Sequence, residues 1–190
     1  MLMLRAKPPD DWLPNVLNNL PAVLVDHAGL ERKAATSALT LERYQELHPR
    51  VGDLNTIAIE ELEHFRLVLN LMEKRGIPFT RPRSSPWISG LMRSIRRGRR
   101  NQVIDHLICA ALIEGRSCEK FQILAEGLQP EDARLAKFYG NLVESEGNHY
   151  AAYLLMAKEI DEVETNRRLD FYLDLDAELV QRPSDLPILH

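Results

Sequence analysis

The spacing of glutamate and histidine constrains this chain more than any other feature of its sequence. A Glu-x-x-His tetrad occurs twice, at Glu61–His64 and at Glu146–His149. A single glutamate precedes each tetrad, Glu31 by 30 residues and Glu114 by 32. Residues three apart on an α-helix point to the same side, so each tetrad presents a carboxylate and an imidazole together. The pattern predicts four helices that direct six such groups toward one place.

The two single glutamates are stronger evidence for a shared site than the tetrads themselves. From composition alone, roughly half of one Glu-x-x-His is expected by chance. Both glutamates lie in otherwise apolar helical stretches, such as Ala34-Ala35 beside Glu31 and Ala110–Ile113 before Glu114. An unpaired carboxylate on such a face costs on the order of several kcal/mol, so it requires a cation or a proton. The alternative is four surface glutamates with two incidental histidines.

Helix breakers predict where the four helices begin and end. Pro21 can open a first helix that ends near His48-Pro49, and Asp53 can cap a second that ends near Gly76. A third is expected from about residue 101 to Gly127 and a fourth from Pro130 to residue 160.

Two further segments follow the four helices. A more charged fifth helix, from about Asp161 to Gln181, is expected to pack outside the bundle. Residues 182–190, which contain Pro183 and Pro187, are expected to form a tail. No stretch alternates as a β-strand does.

The fold class predicted is all-α: a ferritin-like four-helix bundle with a long crossover between its second and third helices and an additional C-terminal helix. Four carboxylates and two imidazoles are the ligand set of a di-iron or di-manganese centre in such bundles. A chain of 190 residues with 45% hydrophobic content can bury one core, so residues 1–190 are expected to form a single domain.

Neither a membrane segment nor a disulfide is expected. No apolar run reaches the roughly 18 residues that a transmembrane helix needs, and no charged segment precedes an apolar signal core. Cys109 and Cys118 lie about 13 Å apart along the predicted third helix, which is too far for a disulfide. These features predict a cytoplasmic protein.

The crossover, residues 74–104, holds nine basic residues and no acidic one, whereas the rest of the chain carries a formal charge of −13. Arginine contacts phosphate through a bidentate fork, and exposed aromatic rings can stack on bases. The nucleic-acid contacts predicted here are Arg81, Arg83, Trp87, Arg93, Arg96, Arg97, Arg99 and Arg100. The alternative is a solvated loop and short helix whose arginines pair with glutamates elsewhere.

Four stretches resemble the MiaE family of tRNA hydroxylases. They are Val25–His27 with Glu31–Ala35, Glu60–His64, Ile113–Phe121, and Ser145-Glu146 with His149-Tyr150. The third is the most specific, because ferritins and rubrerythrins do not share its Arg-Ser-Cys-Glu continuation. The similarity extends from about residue 15 to residue 160.

The resemblance implies an iron-dependent monooxygenase that uses O₂ to hydroxylate the isopentenyl group of 2-methylthio-isopentenyl-adenosine, next to the anticodon of tRNA. The two iron ions would be bound by Glu31, Glu61, His64, Glu114, Glu146 and His149. The partners would be the anticodon stem-loop and an external reductase or ferredoxin, since the chain has no G-x-G-x-x-G motif. Two alternatives are a ferritin-like or rubrerythrin-like protein that handles iron or peroxide, and a structural RNA-binding bundle.

Three residues are expected to support the ligands. His27, one turn before Glu31, is expected to hydrogen-bond to a ligand rather than to be a surplus ligand itself. Glu60, beside Glu61, can either orient an imidazole or face solvent. Cys118, one turn after Glu114, is expected to line a pocket with His27, Ala35 and Ala110, acting as a small buried thiol rather than a proton donor.

Three positions depart from the family's usual sequence. Gly147-Asn148 stands where the family usually has Ala-Arg, and Gly115 stands where it usually has Ala. Ser85–Ile88 replaces an Arg-Tyr-Ala lead into the basic helix. None of these changes removes an implied ligand, but the last lies where substrate is expected to bind.

Overall fold

The computed structural model describes residues 2–129, 131–182 and 186–190, and these contain helices but no β-strand. The α-helices are α1 (Trp12–Asn18), α2 (Leu20–Leu41), α3 (Val51–Lys74), α4 (Pro86–Arg93), α5 (Arg99–Gly127), α6 (Ala133–Ile160) and α7 (Glu162–Val180). A 3₁₀ helix, Gln45–Arg50, links α2 to α3. The predicted all-α class is confirmed.

Local capping explains where several helices begin. The Ser85 hydroxyl accepts a hydrogen bond from the Ile88 amide at 3.0 Å, and Pro86 occupies the first position of α4. Asp132 and Asp161 cap α6 and α7 in the same way. Pro130, the predicted start of the fourth helix, lies outside the described residues.

The first predicted helix is interrupted. The α-helix ends at Leu41 rather than near His48, and the chain reaches α3 through the 3₁₀ turn that contains Pro49. Proline lacks the amide hydrogen that a continuous α-helix requires, which accounts for the change of helix type. The short helix α1 was not predicted.

The four long helices pack as two pairs, α2 with α3 and α5 with α6. Residues 75–98 cross from one pair to the other and contain α4. Two apolar clusters fill the bundle, one around Ala28, Val68 and Phe121, the other around Ile57 and Ala111. On each of the four long helices, the predicted ligands lie between residues of one apolar cluster and residues of the other. A polar layer therefore crosses the apolar core.

Helix α7 lies outside the four-helix core, as expected, and packs against α4, α5 and α6. It buries Leu169, Tyr172, Leu173 and Leu179. The described helices include none that is both long and apolar enough to cross a membrane.

Residues 186–190, the described end of the predicted tail, pack against the helical bundle. The Leu189 amide donates to the buried Asp26 carboxylate at 2.9 Å, and Lys120 donates its ammonium group to the Leu189 carbonyl. His190 lies 3.1 Å from the Ser117 hydroxyl. Sequence patterns could not predict these contacts, because they join residues far apart in the chain; Pro183 lies outside the described residues.

Candidate metal centre

All six predicted ligands are buried on the inner faces of α2, α3, α5 and α6. These residues form two groups of four. In each group every residue contributes one oxygen or nitrogen atom, and these atoms all lie within 4.8 Å of one another. The first group is Glu31, Glu61, His64 and Glu146; the second is Glu61, Glu114, Glu146 and His149.

Glu61 and Glu146 belong to both groups, whereas each remaining glutamate and histidine belongs to one. Glu61 and Glu146 could therefore serve as ligands to both of two cations, and one Glu–His pair would complete the ligands of each. The sequence duplication therefore corresponds to two similar halves of one site.

Both imidazoles direct Nδ1 into the cluster. Nδ1 of His64 lies 3.3 Å from Glu146 Oε1, 3.8 Å from Glu61 Oε2 and 3.9 Å from Glu31 Oε2. Nδ1 of His149 lies 2.6 Å from Glu61 Oε1. The carboxylates and imidazoles thus converge on a shared volume.

Several of these atoms are buried and form no well-oriented hydrogen bond, although His149 Nδ1 and Glu61 Oε1 lie close together: both Glu61 oxygens, Glu146 Oε1, and Nδ1 of His64 and His149. Leaving such an atom unsatisfied costs about 1–3 kcal/mol, and coordination to a cation removes that cost. Hard carboxylate oxygens with imidazole nitrogens suit iron or manganese. The residues present therefore fit a two-metal centre.

Electrostatics within the cluster leads to the same conclusion. Burial, followed by the charges of neighbouring carboxylates, raises the pKa of both Glu31 and Glu114 well above its ordinary value. The pKa of His64 rises to about 10, because the nearby Glu146 and Glu61 outweigh the opposing effect of burial. Divalent cations would replace protons as the positive charges that the cluster needs.

His27 hydrogen-bonds to the Glu31 carboxylate through Nε2, as expected from its position one turn earlier. Its ring stacks on Tyr139, with centroids 5.4 Å apart, and also contacts Phe121. Burial lowers the pKa of His27 to about 3. A neutral imidazole therefore holds Glu31 in position, donating Nε2–H when that carboxylate is ionised.

The residue before each tetrad's glutamate contacts the histidine of the other tetrad. Glu60 Oε2 lies 2.6 Å from Nε2 of His149, and the Ser145 hydroxyl lies 3.3 Å from Nε2 of His64. Glu60 thus orients an imidazole, one of the two alternatives predicted for it, while its side chain stays 48% exposed; Ser145 was not predicted as a site residue. Its signal in the sequence is that Ser145 occupies the position of Glu60 in the second repeat.

Cys118 lies at the junction between α5 and α6. Its thiol donates to the Val143 carbonyl at 3.4 Å, and it lines an external groove with Gly147 and Tyr150. Burial, then the nearby Glu146, raises the pKa of this thiol. A small buried thiol fits this position better than a proton donor.

Two of the departures from the family sequence lie at the same junction. A methyl group at Gly115 would lie 2.9 Å from the Tyr150 ring, so glycine allows that ring to pack against α5. A methyl at Gly147 would lie 3.7 Å from the Cys118 sulfur, an ordinary contact that alanine would also make. Alanine at position 115 would therefore require the Tyr150 ring to shift, whereas alanine at position 147 would require no movement.

Trp87 does not provide the base-stacking surface that was predicted. Its indole is only 6% exposed and donates Nε1–H to Asp176 at 3.0 Å. The prediction for this residue is wrong because its helix, α4, turns the indole toward α7. Trp87 belongs to the third departure from the family sequence, residues 85–88, and it packs in the core.

The predicted arginines fall into two sets. Arg96 pairs with Asp105 at 2.7 Å, Arg99 with Glu46 at 3.2 Å, and Arg100 with Asp161 at 3.1 Å. These three follow the alternative in which basic residues are neutralised by acidic ones. Exposed arginines that form no ion pair among the described residues are Arg81, Arg83, Arg93 and Arg97.

Known proteins with similar sequences were found over nearly the whole chain. The family model described as tRNA-(MS[2]IO[6]A)-hydroxylase (MiaE) matches residues 1–190. A tRNA 2-(methylsulfanyl)-N(6)-isopentenyladenosine(37) hydroxylase from Pseudomonas putida is 36% identical over 177 residues, covering 92% of this chain and 85% of that protein. A hydroxylase of the same name from Salmonella typhimurium is 29% identical, covering 95% of this chain and 84% of that protein.

A similar solved structure supports the fold. It is a Synechococcus protein with aldehyde deformylating oxygenase activity, which superimposes with a TM-score of 0.92 at 30% sequence identity. The match covers 100% of this chain and 96% of the Synechococcus chain. The ferritin-like arrangement predicted from the sequence is confirmed.

Proposed function

Because this chain belongs to the MiaE family of tRNA hydroxylases, we propose that it is a di-iron monooxygenase acting on tRNA. Its substrate would be 2-methylthio-isopentenyl-adenosine next to the anticodon, hydroxylated on the isopentenyl group. Such a substrate places the protein in the cytoplasm. The observation that carries the chemistry is the sharing of Glu61 and Glu146 between two ligand groups.

Bound iron would supply the activation of O₂. The reaction balances when one oxygen atom enters a C–H bond of the prenyl group and the other leaves as water. This requires two electrons and two protons besides O₂. An external reductase or ferredoxin is the proposed electron source.

The chain's own residues set the charge and the geometry. Glu31, Glu61, Glu114 and Glu146 are four buried carboxylates, whose negative charge two divalent ions would balance. His27 holds Glu31, and Glu60 holds His149 through its outer nitrogen. The apolar clusters on either side limit access of water to the polar layer.

A rubrerythrin-like function in iron or peroxide handling would use the same ligands. The full-length match to tRNA hydroxylases favours the RNA substrate over this alternative. A purely structural RNA-binding bundle would leave the buried carboxylates and imidazoles without a role.

The proposal is tested with iron-loaded, reduced protein, prenylated tRNA and ¹⁸O₂. Label is expected in the alcohol of the digested nucleoside, detected by mass spectrometry. A prenylated anticodon stem-loop should react far better than the free nucleoside, because binding of the remote RNA positions the prenyl group. Unchanged tRNA together with rapid peroxide consumption would support the rubrerythrin-like function instead.

A further inference from the structure

The outer face of α2 and the turn that follows it carry three exposed cations, Arg32 and Lys33 on the helix and Arg43 in the turn. None of them forms an ion pair with a described carboxylate. They line an open groove of about 530 Å³, which also contains Met92 of α4 and His106 of α5. The groove therefore lies between α2, the crossover helix α4 and α5.

Helical periodicity separates these cations from the metal centre. Glu31, Ala35 and Ala38 point into the bundle, whereas Arg32 and Lys33 lie on the exposed side of the same helix. The helix that supplies one predicted ligand thus presents a basic surface outward.

Aromatic rings hold two of the guanidinium groups. Arg32 lies over Phe79 with its guanidinium carbon 5.5 Å from the ring centroid, and Arg43 lies 4.8 Å from the centroid of Tyr44. Arg43 also donates to the Tyr44 hydroxyl at 2.9 Å. A stacked guanidinium keeps N–H groups at its edge, where they can contact phosphate oxygens.

Two of the hydroxyls in the groove are already used as donors. Thr36 donates to the Arg32 carbonyl at 2.9 Å, and Thr40 donates to the Thr36 carbonyl at 2.7 Å. The positive charge that a bound anion would meet in this groove comes from its cationic side chains.

Two of the unpaired arginines of the crossover lie beside this groove. Pro82 packs against Gly29 of α2, which places Arg81 and Arg83 next to that helix. Met92 lines the groove, whereas Arg93 lines a different cavity together with Trp12 and Lys120. By contrast, a phosphate that bound Arg96, Arg99 or Arg100 would compete with the carboxylate that already pairs with that arginine.

We propose that the groove lined by Arg32, Lys33 and Arg43, with Arg81 and Arg83 beside it, binds the phosphodiester backbone of the RNA substrate. This role of the groove rests on the proposed function, because it presupposes that tRNA is the substrate. Neutralising phosphates releases counterions from the RNA, which gives a salt-dependent affinity.

The test compares two triple variants of the iron-loaded protein. One is Arg32→Ala with Lys33→Ala and Arg43→Ala. The control is Arg99→Ala with Arg100→Ala and Arg167→Ala, which removes the same charge from arginines that already have ion-pair partners. Affinity for a prenylated anticodon stem-loop is measured by fluorescence anisotropy over a series of salt concentrations.

The α2 triple variant should bind at least about tenfold more weakly at low salt, and its log–log salt slope should fall by about 2, given three lost phosphate contacts. The control triple should bind within about twofold of the wild type. Iron content and melting temperature should be unchanged in both.

An α2 triple variant with wild-type RNA affinity and salt slope would overturn the proposal while leaving the proposed function intact. The proposal is also overturned if this variant binds RNA normally but turns over more slowly only when a protein supplies the electrons. In that case the groove binds the electron donor. A wild-type protein that binds no tRNA would refute both the proposed function and the groove.

Discussion

Glu60 accepts a hydrogen bond from Nε2 of His149 at 2.6 Å, joining α3 to α6 outside the predicted metal ligands. A carboxylate in this position fixes the tautomer of an imidazole and makes its other nitrogen a stronger donor to a metal. In the second repeat, the neutral hydroxyl of Ser145 contacts His64 at 3.3 Å. The two halves of the site therefore differ although their ligands repeat.

Replacing Glu60 with Gln should weaken binding of one metal ion by about tenfold or more, because the charged partner of His149 is lost. The other ion, beside His64, should bind as before. Titration with Co²⁺, followed by its absorption spectrum, measures both affinities. Glu63→Gln is the control, since Glu63 is exposed and pairs with Arg66. Equal effects at both metals would contradict this asymmetry.

Glu61→Ala and Glu114→Ala should differ in metal stoichiometry. Glu61 belongs to both ligand groups, so its loss should remove both ions, whereas loss of Glu114 should remove at least the one beside His149. The wild type should hold two ions about 3.5–4 Å apart, a typical two-metal separation. Elemental analysis after iron loading gives the stoichiometry, and X-ray absorption gives the separation.

Activity should follow metal content in these two variants and be nearly abolished in both. Glu144→Ala is the control, because Glu144 is exposed and precedes the second tetrad. A Glu61→Ala protein that retains two ions would refute the bridging arrangement.

The buried Lys120 should make stability depend on pH. Burial, then the charge of Arg116, lowers the pKa of Lys120 to about 7. Its unfolded value is 10.5, so between these values the folded state binds fewer protons than the unfolded state. The free energy of unfolding therefore rises with pH across this window.

From pH 7 to pH 9 the wild type should gain about 2 kcal/mol of stability relative to Lys120→Met. Urea unfolding of both proteins at both pH values, with metal removed by a chelator, measures this difference. A parallel change in the two proteins would show that the Lys120 pKa is not depressed.

Trp87→Phe should reduce stability by about 1–3 kcal/mol, because Asp176 loses a buried hydrogen bond from the indole. The tRNA affinity of the folded variant should be unchanged, since the indole does not face solvent. Urea unfolding and fluorescence anisotropy measure the two quantities. A selective loss of RNA affinity with unchanged stability would restore Trp87 as an RNA contact.

The sequence by itself determined the helical class and the set of residues that converge. Both follow from helical periodicity, a local property: Glu61 and His64 share a face wherever their helix lies. The apolar surroundings of Glu31 and Glu114 already indicated that these carboxylates are inward and need a positive partner. Helix starts were only partly predictable: α7 begins beside Asp161 as expected, whereas Asp53, expected to cap α3, lies inside its first turn.

Only the tertiary structure decided which groups share partners across the fold. That Glu61 and Glu146 belong to both ligand groups depends on how the two helix pairs face each other. The burial of Trp87 depends on Asp176, 89 residues away, and Lys120 is satisfied by a backbone carbonyl 69 residues away. The crossover's charge suggested an RNA surface, but ion pairing with distant carboxylates neutralises part of it. Sequence spacing carries no information about such partners, because their distances are set by packing.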